Sequence, residues 1–510
     1  METLRQRPDL MFSASPVRRT ASFVLLTLAL GFAGMLCARG SYREAAVVAV
    51  ISVGVALFIT APISIEAVLL AWFAMTPLAS FFLRFPTDRS IITFNRVVFG
   101  VLLIMLLESH RVLRRAGEHL AVPASDERAH FSVSRFEISW ALLSLLALAS
   151  TLAYSNNVGY ATRIAIDTFW LPLIAFYFAR KHFDLRTGGR LLLLGCMALA
   201  LFLFATGAIE LATGIDLFRY KGAELVREGE RRVNGPFAAD SSFAIICLIL
   251  FLFLKAAPGM IRVRFDRAGK LVYVCATAAA ALGTLLPLFR VAAFALVLCW
   301  IAQWWLSSRG DALTLKRAEF RRLLAAAAVV PVIAIVLVGW LAMALPERSV
   351  WRLLSPRTVF GRLATWQGAA EIAVENPILG VGLANYADHY DASHYYSEEA
   401  PEEILDTKAA PDSPHSNLLW IASELGLPAA AVYVVANLYL FLMGWRALKR
   451  AGNSQQRTAA ACFVSIVIAY WTTGLTLASG NYSDLNLCFL FLLGGLSTEF
   501  AGVRAKSEKS

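Results

Sequence analysis

The sequence predicts an all-α, polytopic integral membrane protein of about 12–14 transmembrane helices. Three observations carry that prediction. Apolar runs of about 16–23 residues recur from end to end, only 16% of the residues are charged, and the mean hydropathy is +0.62. A soluble chain carries roughly a quarter charged residues, and a helix needs about 20 residues to cross a bilayer. Helices are the form expected, because backbone polar groups within lipid must pair inside their own segment.

Taken in order, the runs fall at 21–37, 45–62, 66–83, 91–107, 138–154, 164–179, 191–212, 236–254, 271–289, 291–306, 323–345, 427–445, 458–478 and 485–501. The first follows Arg18-Arg19, and "MLCARG" offers no small-x-small cleavage site, so it reads as a retained anchor. The net charge of +11 is explained by its distribution. With the N-terminus inside, inner segments hold 30 of the 47 Lys/Arg and outer segments 16, with Arg96 inside a span. This bias sets orientation and calls for no nucleic-acid partner. The expected organisation is a cytoplasmic N-terminus (1–20), N-terminal transmembrane helices (21–212), further helices with outer arginine motifs (213–345), a large outer loop (346–426), C-terminal helices (427–501) and a cytoplasmic tail (502–510).

Some function classes are excluded early. The longest inner loop, His110–Phe136, has about 27 residues, too few for a nucleotide-binding domain, and no GxxxxGK[ST] or strand-borne GxGxxG is present. All seven cysteines fall within expected spans, which suggests packing rather than disulfides or a thiolate zinc site. "HYDASH" (389–394) spaces its histidines for neither one helix face nor one strand face, so no metal and no cofactor is expected. There is no evident internal repeat.

Two outer segments carry polar chemistry. "YKGAELVREGERRVNG" places Arg231 and Arg232 at the mouth of the eighth span. The 346–426 loop holds twelve Asp/Glu against five Lys/Arg, and three of the seven histidines. In it, "SPRTVFGRLATWQGAAEIAVENP" opens on Ser355-Pro356, a helix-starting pair, and ends at Asn376-Pro377. Val359, Leu363, Trp366, Ala370 and Val374 recur at helical spacing, which predicts an amphipathic helix along the outer membrane surface or over a cavity. Arg362 and Trp366 are four apart and so share a face. "PILGVGLANYADHY" reads as a tight turn and a second helix. "APDSPHSNLLWIASELG" sets His415 between Pro414 and a Ser-Asn pair, with Asn417 close by, at the return to the membrane. Arg290 stands at a helix end and Arg96 six residues inside its span, where an arginine is a functional suspect. Each also has a plainer role: a snorkelling or solvated arginine, a loop histidine. The loop aromatics Trp351, Trp366, Tyr386, Tyr390, Tyr395, Tyr396 and Trp420 suit either sugar stacking or an interfacial belt.

Taken together, "RRVNGPF" (231–237), "PLFRVAAF" (287–294), "GRLATWQGAAEIAVENPILGVGLANY" (361–386) and "PHSNLLWIASELGLPAA" (414–430) resemble the O-antigen ligase/polymerase family of bacterial envelope glycosyltransferases. The resemblance covers roughly residues 215–445. It implies a GT-C-like membrane fold with a periplasmic active site in the bacterial inner membrane. It also implies a donor glycan on undecaprenyl pyrophosphate and a glycan or lipid A-core acceptor. By resemblance, Arg232 and Arg290 hold the pyrophosphate, and His415 acts on the acceptor hydroxyl. Arg231, Arg362, Arg96, Trp366 and Asn417 are further candidates for substrate binding. Family ligases often show an Asn-Pro-Asn-like run after Gly-x-Phe and a serine before the second arginine. "GPFAADSSF" and Phe289 stand there instead, which tilts the reading towards a polymerase over a ligase or a protein O-oligosaccharyltransferase.

The residue chemistry agrees with that implication. A leaving diphosphate gathers charge that fixed cations stabilise, arginine binds phosphate bidentately, and histidine titrates where a base for a hydroxyl must. The competing class is a transporter or flippase for lipid-linked sugars, which favours short loops and polar groups at the bilayer midplane. Cations and histidines gathered at the outer edge beside a long loop favour the enzyme.

Overall fold

The computed structural model describes residues 65–82, 84–85, 92–105, 133–215, 217–218, 233–237, 239–261, 263, 265–308, 357–390, 413–478, 480 and 482–500. These form two compact units. One contains 177–184 with residues up to 133; the other contains 134–176 and 185 onward. The expected spans 21–37, 45–62 and 323–345 lie outside the described residues, as do Arg231 and Arg232.

In the first unit, α1 (Ile65–Phe82) is followed by a two-residue antiparallel pair, β1 (Arg84–Phe85) and β2 (Ile92–Thr93), and then by α2 (Phe94–Met105). Buried Asn95 ties α2 to α1, its Oδ1 accepting from Trp72 Nε1 at 2.9 Å and lying 3.3 Å from Thr76 Oγ1. Arg96, next along α2, is half-buried.

The second unit is built from α3 (Arg135–Tyr154), all but the end of α4 (Val158–His182), α5 (Gly189–Thr213), α6 (Asp240–Met260), α7 (Arg267–Leu285), α8 (Arg290–Ser308), α9 (Arg357–Glu375), α10 (Tyr386–His389), α11 (Asn417–Leu425), α12 (Leu427–Arg450), α13 (Ser454–Gly474) and α14 (Ser483–Ser497). Every sequence-predicted span among the described residues coincides with a helix. Seven of these helices are long and apolar enough to cross a membrane among the described residues.

Local sequence sets the ends. Ser134 and Glu137 make a reciprocal capping box at α3. Asp266 caps α7 by accepting from Gly269 N at 2.8 Å, Asn453 caps α13 by accepting from Gln456 N at 2.8 Å, and Gly214 ends α5 at φ 72°. Helix α6 is the central one, packed against α5, α7, α8, α13 and α14. Small residues allow close approach: Gly207 faces Phe243, Gly283 faces the Cys247 thiol, and Gly444 faces Phe463. Five of the six described cysteines are buried, and all six are free. Large apolar side chains such as Leu271, Val274 and Phe294 are instead 60–65% exposed on α7 and α8. On helices of this hydropathy, that surface is where lipid sits.

Candidate active site

The order of contacts defines two faces of the second unit. Gly259, at the end of α6, lies against Thr458 at the start of α13, and Gly189, at the start of α5, lies against Ile261. These mark one face. At the other, Gly480, which follows α13, sits against Trp420 and Asn417 of α11, while Gly207, near the end of α5, meets both Val233 and Leu286. Val233 follows Arg232 in "RRVNGPF", and Leu286 opens the turn that leads to Arg290. The segments bearing Arg290 and His415, and the residue after Arg232, therefore come to the same face, called the site face below. A cleft of about 260 Å³, lined by Pro258–Ile261 and Asn453–Gln455, lies at the opposite face, away from these groups.

Two buried carboxylates fix the loops at the site face. Glu210, near the end of α5, accepts from the backbone N–H of Asn234 at 3.1 Å and of Gly235 at 2.8 Å, anchoring the segment just after Arg232. Glu424, in α11, accepts from Ala384 N at 2.9 Å, Tyr386 N at 3.2 Å and Trp420 Nε1 at 2.8 Å. Neither glutamate stands out in the sequence. A single acidic residue in an apolar run was the only signal available, and burial is expensive enough that such a residue must find donors.

Around Glu424 the chain crosses itself. "NPILGVGLANY" is drawn along α11, with Val381 N donating to Ser423 O at 3.0 Å, Gly382 N to Glu424 O at 3.0 Å, and Leu427 N to Pro377 O at 2.8 Å. Gly380 (φ 65°), Gly382 (φ 95°) and Gly426 (φ 89°) permit this crossing. A β-carbon on Gly380 would fall on the Glu424 backbone, and one on Gly426 on the Ile378 carbonyl. The end of α3 braces the other side. Ser150 Oγ lies 2.7 Å from Leu379 O and 2.8 Å from Glu424 O, and Asn385 Nδ2 donates to Tyr154 O at 2.9 Å. The expected second helix in this segment is only the four residues of α10, because the backbone N–H groups are spent on the crossing.

Helix α9 is amphipathic in a different sense from the expectation. Its buried face is Ala364, Thr365, Ala369, Ile372 and Ala373, of which Ala369 and Ile372 pack with Val381, Tyr386 and Tyr390. Leu363, Ala370 and Val374 of the expected apolar stripe are exposed. Arg362 and Trp366 are half-buried, and the Trp366 indole N–H is buried with no hydrogen-bond partner among the described residues.

His415 is half-buried and adopts φ 51°. Only three described non-glycine residues have positive φ: Leu288, two residues before Arg290; Ala384, bonded to Glu424; and His415. Such backbone costs about 1–3 kcal/mol per residue and persists where surrounding structure holds it, often at functional sites. Arg290 is exposed and is the first residue of α8. A cation there opposes the helix dipole, whereas an anion placed there meets both the guanidinium and the positive end of that dipole.

Other sequence candidates have definite places. Asn417 is 3% exposed, its Nδ2 donating to Tyr433 Oη at 3.1 Å and its Oδ1 accepting from Gly480 N at 2.6 Å. Its amide is committed to holding α11, so it shapes the site from within. Tyr386 and Tyr390 stack on each other, and Trp420 stacks on Phe169 at 5.9 Å; all three are buried in the core, not displayed for sugars. Asp388 is exposed and accepts from Asn156 Nδ2 at 3.0 Å. His389 pairs through Nδ1 with Asn385 O at 3.0 Å. His394, Asp391, Asp412, Trp351, Tyr395 and Tyr396 lie outside the described residues. Arg96 belongs to the first unit. Among the described residues, no group of three or more His, Cys, Asp or Glu is arranged to hold a metal ion.

Burial raises the Glu424 carboxyl from its ordinary 4.5 to about 7, against the lowering effect of its three donors. A carboxyl raised on folding contributes stability that is complete below pH 4.5 and is lost as pH rises through about 7. The wild-type thermal midpoint is therefore expected to fall more steeply across that window than that of Glu424→Gln, by the equivalent of at most about 3 kcal/mol. Parallel slopes in a differential scanning measurement would contradict this.

Comparison with known proteins gives one family match. No curated protein matches the chain. Residues 271–434 match the family model described as O-antigen ligase. The matched stretch contains most of α7, Arg290, α9 with Arg362, the 376–390 crossing, His415 and Glu424, while "RRVNGPF" precedes it. This chain is thus a polytopic membrane protein whose residues 271–434 are similar to the O-antigen ligase family.

Proposed function

We propose that the protein is a membrane glycosyltransferase that moves a glycan from undecaprenyl pyrophosphate to a hydroxyl acceptor, acting as a polysaccharide or O-antigen polymerase. The observation that supports this reading is the placement of Arg290, the segment after Arg232 and the left-handed His415 bend at one face of the second unit, two of the three within the stretch similar to O-antigen ligases. The opposite face carries Arg190, Arg267, Lys270, Lys449, Arg450 and Arg457 at helix ends. By the positive-inside rule that face is the cytoplasmic one, which supports a site on the periplasmic side of the bacterial inner membrane.

In this reaction His415 takes the proton of the acceptor hydroxyl as its oxygen attacks the anomeric carbon. The bond from that carbon to the diphosphate oxygen breaks, and its electron pair leaves with the diphosphate. The products are an extended glycan, undecaprenyl pyrophosphate and the proton on the imidazole. Arg290 and Arg232 are assigned to neutralise the leaving diphosphate, and Arg231 and Arg362 to bind substrate. The indole N–H of Trp366, one turn along α9 from Arg362 and with no hydrogen-bond partner among the described residues, offers a donor to the sugar. No cofactor is called on, since arginine supplies the charge that a metal would. Arg96 is assigned no step.

Full-length protein in lipid nanodiscs, given undecaprenyl-pyrophosphate oligosaccharide as donor and acceptor with chelator and no ATP, is expected to release undecaprenyl pyrophosphate and lengthen the glycan. Arg290→Ala is expected to lower the rate by about 10²- to 10³-fold. Arg290→Lys should recover only part, because an ammonium is a point charge without the fork. A wild-type rate in Arg290→Ala would remove that residue from diphosphate binding. In a gene-deletion strain, single repeat units indicate a polymerase, and long chains left unattached to lipid A-core indicate a ligase.

A further inference from the structure

We infer that Glu424 is a positioning residue for the base, holding the backbone of His415 from both of its sides. The inference rests on the role given to His415 above. On the downstream side, Glu424 Oε2 accepts from Trp420 Nε1 at 2.8 Å, and the Trp420 backbone N–H donates to Ser416 O at 2.9 Å. On the upstream side, Glu424 Oε1 accepts from Tyr386 N at 3.2 Å, and Tyr386 Oη donates to Thr365 O at 3.0 Å. Thr365 Oγ1 in turn lies 3.5 Å from the carbonyl oxygen of Pro414 and 2.9 Å from that of Arg362. One carboxylate thus reaches the residue before His415 and the residue after it, and the upstream route also fixes the turn that carries Arg362.

This arrangement answers a physical requirement. His415 sits at φ 51°, a conformation the chain leaves unless its flanks are held. Every member of both routes, Glu424, Trp420, Ser416, Tyr386 and Thr365, is buried, so the bonds are shielded from competing water. Ionised Glu424 has acceptor sites for all three N–H donors. An amide does not: if its oxygen serves Ala384 and Trp420, its NH₂ is turned on the Tyr386 N–H, and the upstream route opens. Glu424 does not touch the reacting atoms; it acts through the backbone of a residue that does.

The test uses full-length protein in nanodiscs with undecaprenyl-pyrophosphate oligosaccharide. Glu424→Gln is expected to lower kcat on the order of 10- to 100-fold with the donor KM unchanged, as for a misplaced catalytic group. Tyr386→Phe and Trp420→Phe each break one route while keeping a ring in the core, and are expected to give smaller losses of the same kind. In a His415→Ala background, all three should cost nothing further. General damage to the fold would lower that residual activity as well, or raise the donor KM. The inference is overturned by wild-type kcat in Tyr386→Phe and Trp420→Phe together, or by equal losses with and without His415. Full activity in His415→Ala alone would take away the base itself, a separate failure that removes the proposed mechanism.

Discussion

Replacing His415 with alanine is expected to lower glycan transfer by about 10²- to 10⁴-fold, the contribution typical of a positioned general base. Donor binding should change little, because the arginines assigned to the diphosphate are untouched. The substitution also alters a residue at φ 51°, so His415→Asn is the sharper variant. Asparagine is among the non-glycine residues that adopt left-handed backbone most readily but has no basic nitrogen. Both variants are expected to fall by similar factors while their thermal midpoints stay near wild type. Transfer by His415→Asn within threefold of wild type would show that the imidazole is not the base.

The largest structural effect is expected at Gly426. Its φ of 89° is unfavourable for any L side chain, and a β-carbon would run into the Ile378 carbonyl. Gly426→Ala has no relief available, since Leu427 N donates to Pro377 O and Val381 N to Ser423 O on either side of the contact. A loss of about 4 kcal/mol or more is expected, read as a large drop in thermal midpoint and in monodisperse yield from membranes. Gly361→Ala is the control: nothing lies within 4 Å of its β-carbon position on helix α9. There alanine should be neutral or add up to about 1 kcal/mol. If Gly426→Ala melted like Gly361→Ala, the crossing of 376–390 over α11 would not be the structural joint described.

Much of the site could be anticipated residue by residue and little of it as an arrangement. Arginines at helix ends and a histidine beside a proline are visible in one dimension. Glu424 is not, because "SELG" looks like the end of any amphipathic helix until the N–H groups of Ala384 and Tyr386, about 40 residues earlier, are seen to point at it. Asn417 looked like a ligand-facing amide for the converse reason: its partner Gly480 lies 63 residues away. In α9 the spacing marked the helix, and the apolar stripe it picked out is not the side packed against the protein. Alanine and threonine form the packed side, where Tyr386 and Ile372 need small neighbours, and the larger Leu363 and Val374 are left exposed.

By itself the sequence determined the membrane class and the positions of the membrane helices among the described residues. Those properties depend on the transfer free energy of contiguous runs and on charge near their ends, both local sums. Tertiary structure alone decided that Ser150 would reach Leu379 across 229 positions and that buried glutamates would pin both loop motifs. It also decided that His415 would be held in left-handed backbone. The first two are pairings of a donor with a distant acceptor, and no local sum over the chain contains the partner.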